Sequence, residues 1–117
     1  MKKSFKDLIV WQKAIQLVVD VYRVTRTFPS DERFGLISQM RRCAASIPSN
    51  IAEGQGRLTP GEFRQFLGIA KGSIMELETQ LIIARELGFV DSANPLFEQL
   101  CEVARLLNGL LNSLTDR

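Results

Sequence analysis

Histidine is absent from the 117 residues, and with it goes the commonest metal ligand and the usual general base near neutral pH. Any catalysis would have to run on carboxylate, lysine, serine or cysteine groups alone. Only two cysteines are present, Cys43 and Cys101. They lie in apolar periodic stretches without a C-x-x-C spacing, so both are expected as small buried core residues rather than as a disulfide or a metal site. No apolar run approaches the ~20 residues that cross a bilayer. The opening "MKKSFKD" lacks a signal-peptide core, because Lys6 and Asp7 interrupt it and no small-residue cleavage site follows. A cytoplasmic protein with no membrane contact is the expectation. Neither strand-like alternation nor a low-complexity linker appears, so one domain over residues 1–117 accounts for the chain.

What is present is helical periodicity. The composition, 45% hydrophobic and 24% charged, is ordinary for a globular domain. Ser4-Phe5-Lys6-Asp7 has the S-x-x-D form of a capping box. Behind it Leu8, Trp11, Ile15, Val18 and Tyr22 make one apolar row, and Val10, Ala14, Leu17, Val21 and Val24 make a second, about 110° further round at ~100° per residue. An outer helix of a small bundle needs a narrower stripe, so this breadth predicts a further buried contact. Pro29 ends that helix; Ser30 caps the next, with Asp31 and Glu32 at its positive end. Leu36, Met40, Cys43 and Ile47 give its inward row. Thr59-Pro60-x-Glu62 opens a third helix, in which Phe63, Leu67, Ala70, Ile74, Leu77, Leu81 and Ala84 keep heptad spacing. Gly88 suits a left-handed cap, Asn94-Pro95 starts the last helix, and Leu96, Leu100, Val103, Leu107, Leu110 and Leu114 repeat the rule. The reading is all-α: an antiparallel up-down four-helix bundle with helices at roughly 5–27, 31–54, 60–87 and 94–115.

The stretch "RRCAASIPSNIAEGQGR" interrupts this regularity. Pro48 removes a hydrogen bond to the Ala44 carbonyl, which predicts a kinked second helix, with Asn50-x-x-Glu53 recapping the chain beyond the bend. Ala44, Ala45 and Ser46 would admit a close neighbour there, and Gly68 and Gly72 on the third helix have the size for it. Gly54-Gln55-Gly56-Arg57 follows no strand and lacks the Lys-Ser/Thr of a phosphate loop, so Gly54 or Gly56 is expected to supply a positive-φ helix end. Glu53, if buried, needs an arginine, with Arg41, Arg42 and Arg57 as choices. Glu76 and Glu78, two apart on a helix, point in different directions and form no catalytic pair.

Charge is uneven. Residues 1–57 carry ten basic and five acidic residues, a net +5, and the remainder a net −3. The candidate nucleic-acid-binding residues are Lys2, Lys3, Lys6, Lys13, Arg23, Arg26, Arg41, Arg42 and Arg57. No aromatic is interleaved with them, so phosphate contact is favoured over base readout. A solvated face, or charge-guided packing between subunits, explains the same asymmetry.

The segments "LIVWQKAIQLV", "FPSDERFGLISQMRRCAASIPSNIAEGQGR", "EFRQFLGIAKGSIMELETQL" and "ARELGF" closely resemble a bacterial family of four-helix bundle proteins, some encoded by intervening sequences within 23S ribosomal RNA genes. Cys43, where relatives commonly have alanine, is a small departure. The resemblance implies a ring-like homopentamer and no enzymatic activity, and it extends to the accessory protein of diversity-generating retroelements, a basic partner of nucleic acid and a reverse transcriptase. Its signature positions here are Arg42, Ser46, Pro48, Asn50, Ile51, Glu53, Gly54, Ser73, Glu76, Glu78 and Leu81. The expectation is a non-enzymatic, cofactor-free homo-oligomer that binds nucleic acid, RNA more than DNA, through its backbone. The alternative is a protein–protein adaptor with little nucleic-acid contact.

Overall fold

The structure, a computed structural model, describes residues 4–115; Lys2 and Lys3 lie outside the described residues. Those described contain four long helices and no strand: α1 (Ile9–Thr25), α2 (Ser38–Gln55), α3 (Pro60–Glu86) and α4 (Leu96–Thr115). A 3-10 turn at Phe5–Asp7 precedes α1. Its capping box is complete: Ser4 Oγ accepts from the Lys6 amide, and Asp7 accepts from the Ser4 amide. Thr59 caps α3 by accepting from the Glu62 amide at 3.1 Å. At the far end of α3 the Gly88 amide donates to Arg85 and the Phe89 amide to Ala84, around the positive φ of Gly88, 81°. That pattern is a Schellman cap, which satisfies carbonyls the helix leaves open.

The helices pack α1 on α2, α2 on α3, α3 on α4 and α4 back on α1, in a body of 46 × 23 × 20 Å. Leu17, Met40, Ile47, Ile51, Leu67, Ile74, Leu77, Leu81, Leu96 and Leu107 are fully buried at its centre. Each such side chain contributes about 1.5–3 kcal/mol relative to exposure. In α1 the buried row is Val10, Ala14, Leu17 and Val21, closed by Thr25 rather than Val24. In the other row Leu8, Trp11 and Val18 are partly buried against the core, while Ile15 and Tyr22 are exposed.

Arg41 is an internal strut. Its Nε donates to Thr25 Oγ1 at 2.9 Å, its Nη2 donates to the Tyr22 carbonyl at 3.2 Å, and its guanidinium lies 4.6 Å from the Tyr22 ring centre. The end of α1 therefore receives its cation from α2, and the fold itself uses this arginine.

α2 continues through Pro48, which is buried, in keeping with a single second helix across this stretch. Other sequence expectations are corrected by the structure. The non-helical backbone comes earlier, at Gly35 (φ −110°, ψ −112°), within a π-helical turn at Arg33–Ile37. Asn50 does not recap the chain; its Nδ2 donates to the Ser46 carbonyl at 2.7 Å. Neither Gly54 nor Gly56 has a positive φ. Gly68 and Gly72 do not receive the Ala44–Ser46 segment, since a Cβ at either would meet nothing within 4 Å. Cys101 is exposed, whereas Cys43 is buried as expected; both thiols are free.

Candidate functional site

Along the seam between α2 and α3, two kinds of packing follow one another. Near the end of α2, a Cβ at Gly54 would fall 2.8 Å from Phe66 Cβ and 3.0 Å from Phe63 Cδ1. Gly54 is there because the two helix backbones approach too closely for any side chain. Beside it, Glu53 is exposed rather than buried and pairs with Arg57 one turn on, at 2.8 Å. The Arg57 guanidinium also lies 4.7 Å from the Phe66 ring centre. Of the three arginines considered for Glu53, only Arg57 bonds to it.

Two turns earlier the seam is polar. Ser46 Oγ is hydrogen-bonded to the Cys43 carbonyl and to Ser73 Oγ, each at 2.7 Å. The Cys43 thiol donates to the Ser73 carbonyl at 3.0 Å and lies 3.7 Å from Glu76 Oε1. Burial, followed by the negative charge of Glu76, pushes this thiol up to about 12. That holds it in the protonated form at neutral pH, the form that neither attacks nor ligates a metal.

These groups line an open notch of about 620 Å³, together with Phe34, Arg42, Asn50 and Gln80, a volume in the range of small-ligand clefts. Arg42 and Glu76 both reach it, yet neither takes part in an ion pair among the described residues. Arg42 makes a long 3.4 Å bond to Ser38 Oγ. Gln80 is only 7% exposed, and its Oε1 has no hydrogen-bond donor, a costly state for a buried acceptor. Phe34 is 89% exposed, an aromatic ring left in water at the rim.

The sequence-predicted residues thus fall into three groups. Arg42, Ser46, Asn50, Ser73 and Glu76 converge on the notch. Pro48, Ile51, Gly54 and Leu81 are buried packing residues. Glu78 lies elsewhere, in a small crevice between α3 and α4 beside Cys101. The basic candidates do not form one uniform patch. Lys13 bridges to Glu102 at 3.8 Å, Arg23 to Asp20 at 2.9 Å and Arg57 to Glu53, while Arg41 braces α1. Lys6, Arg26 and Arg42 keep no carboxylate partner among the described residues, and Arg33, Arg64, Lys71 and Arg105, which were not sequence candidates, join them. Phe34, Arg33 and Gln80 were missed. Phe34 had a legible signal: it stands outside the inward row and beside a basic residue.

Four helices around one apolar core, a polar α2–α3 seam and no potential metal cluster of histidine, cysteine or carboxylate among the described residues define a helical-bundle domain. Its family is that of the 23S rRNA-intervening sequence proteins, whose pattern matches residues 6–109, and the chain belongs to it. No curated protein matches the chain. No described helix is long and apolar enough to cross a membrane.

Proposed function

We propose that the protein is a non-enzymatic, cytoplasmic homo-oligomer, an up-down bundle assembling as a ring-like pentamer, that binds RNA in preference to DNA through phosphate contacts. The observation that carries the binding is the set of exposed, carboxylate-free cations Lys6, Arg26, Arg33 and Arg42 on and before the first two helices. Such groups exchange condensed counterions for phosphates, whereas already paired ones do so at a loss. Assembly is supported by apolar surface that this chain leaves uncovered. Ile15 and Tyr22 on α1, and Met75, Ile82 and Ile83 on α3, are exposed, with the open Gly68 and Gly72 on the same outer side of α3.

A titration of labelled single-stranded RNA at about 50 and 200 mM salt tests the binding. Neutralising three phosphates predicts roughly a tenfold or greater loss of affinity at the higher salt, and further weakening for Arg26→Gln with Arg42→Gln. Absence of binding at low salt contradicts this reading and favours the adaptor, which the exposure of Phe34 and Leu58 supports. Light scattering tests assembly: a clean monomer at micromolar concentration contradicts it.

A further inference from the structure

The geometry points to the α2–α3 notch as a receptacle for one unstacked guanine of a bound RNA strand. This rests on the RNA-binding reading and adds to it a base preference. The notch combines features that phosphate contact alone does not use. The Glu76 carboxylate has no ion-pair partner among the described residues, and the Cys43 thiol 3.7 Å away lies closer to the Ser73 carbonyl. One turn along α3, the buried Gln80 Oε1 has no donor. The buried Gln80 Oε1 requires a donor from whatever enters, and the exposed Glu76 carboxylate is open to accept from the same group. Arg42 supplies positive charge at the same opening, and the Phe34 ring stands exposed at its edge.

The chemistry of the edge selects the base. A carboxylate only accepts, so it matches a face with two adjacent donors. Guanine alone presents this, as N1–H beside its N2 amino group. Uracil offers one N–H between two carbonyls; adenine and cytosine each place an acceptor next to their amino group, which the carboxylate repels. Single-stranded RNA is recognised in this manner, by splaying a base out, stacking it on an aromatic ring and bonding its Watson–Crick edge. Glu76 then reads the edge, Gln80 accepts a remaining donor, Phe34 supplies the stacking face, and Arg42 with Arg33 meets the flanking phosphate. An 89% exposed phenylalanine beside a basic residue is explained by the same assignment.

The test is fluorescence anisotropy with a labelled oligouridine and with versions carrying one central guanosine, inosine or adenosine. The guanosine strand is expected to bind roughly tenfold tighter than plain oligouridine. Inosine, which lacks the N2 amine, should fall between them, and adenosine should give no gain. Glu76→Gln should reduce the guanosine strand to the affinity of oligouridine, and Phe34→Ala should weaken the guanosine strand. Both side chains are exposed, so thermal melts of the variants should match the parent. RNA binding with equal affinity for all four strands overturns the guanine site and leaves phosphate binding standing. A guanosine preference that survives Glu76→Gln also overturns it. Loss of all RNA binding removes both readings together.

Discussion

The two ends of the α2–α3 seam hold the same pair of helices together by opposite means. At Gly54 the contact is dry and sterically tight, with Phe63 and Phe66 pressed against bare backbone. At Ser46 and Ser73 it is made by hydroxyls, a thiol and amides, and it opens into a notch. A folded domain gains little net stability from exchanging water hydrogen bonds for internal ones, so the polar end points to a use other than stability. The difference also separates the family's signature into two kinds of residue: some shape the seam, and others face outward from it.

The comparison can be broken most severely at Gly54. Gly54→Ala forces a Cβ into Phe66 and should cost about 1–3 kcal/mol, read as a lower denaturation midpoint. Gly109→Ala on the open face of α4, where a Cβ meets nothing within 4 Å, should instead be neutral or stabilising by up to about 1 kcal/mol, as helix propensity favours. Equal effects from the two would remove the distinction. At the polar end, Ser73→Ala leaves Ser46 with one bond fewer and should cost about 1 kcal/mol. Adding Ser46→Ala should cost less than the sum of the two single changes, because the two share one bond.

Smaller effects sharpen the picture. Arg57→Ala removes an exposed i, i+4 pair and should change stability by a few tenths of a kcal/mol, despite its 2.8 Å distance. At neutral pH the Cys43 thiol should be silent: an alkylating reagent at pH 8 modifies Cys101 rapidly and Cys43 slowly. Since the folded state raises the Cys43 thiol from 9.0 to about 12, its contribution to stability is complete below about pH 9 and is lost as pH rises toward 12. Comparing the alkaline limb of the stability curve with that of Cys43→Ala measures it.

Much of the fold was legible because caps and heptads are local. Ser4, Thr59 and Gly88 announce their helix ends by their own chemistry, and the buried rows of α3 and α4 follow spacing alone. Pro48 is accommodated inside α2, buried and with the helix continuing through it, whereas the non-helical backbone at Gly35 has no comparably strong local signal. Gly68 and Gly72 misled because size says nothing about which face of a helix looks inward. The notch was half visible. Its residues stood out individually, but Ser46 and Ser73 are 27 positions apart, and only the packing of α2 against α3 brings them together. The unpaired state of Arg42, and the paired state of Lys13, Arg23 and Arg57, depend on side-chain reach that spacing does not give.

The most direct measurement of the central claim is ultraviolet cross-linking of the protein to a labelled single-stranded RNA, followed by mapping of the modified peptides by mass spectrometry. The account predicts adducts in the segment from Arg33 to Arg42, with Phe34 foremost, and none in α4. Adducts confined to α4, or a protein that yields none under conditions where it binds RNA at low salt, would contradict it.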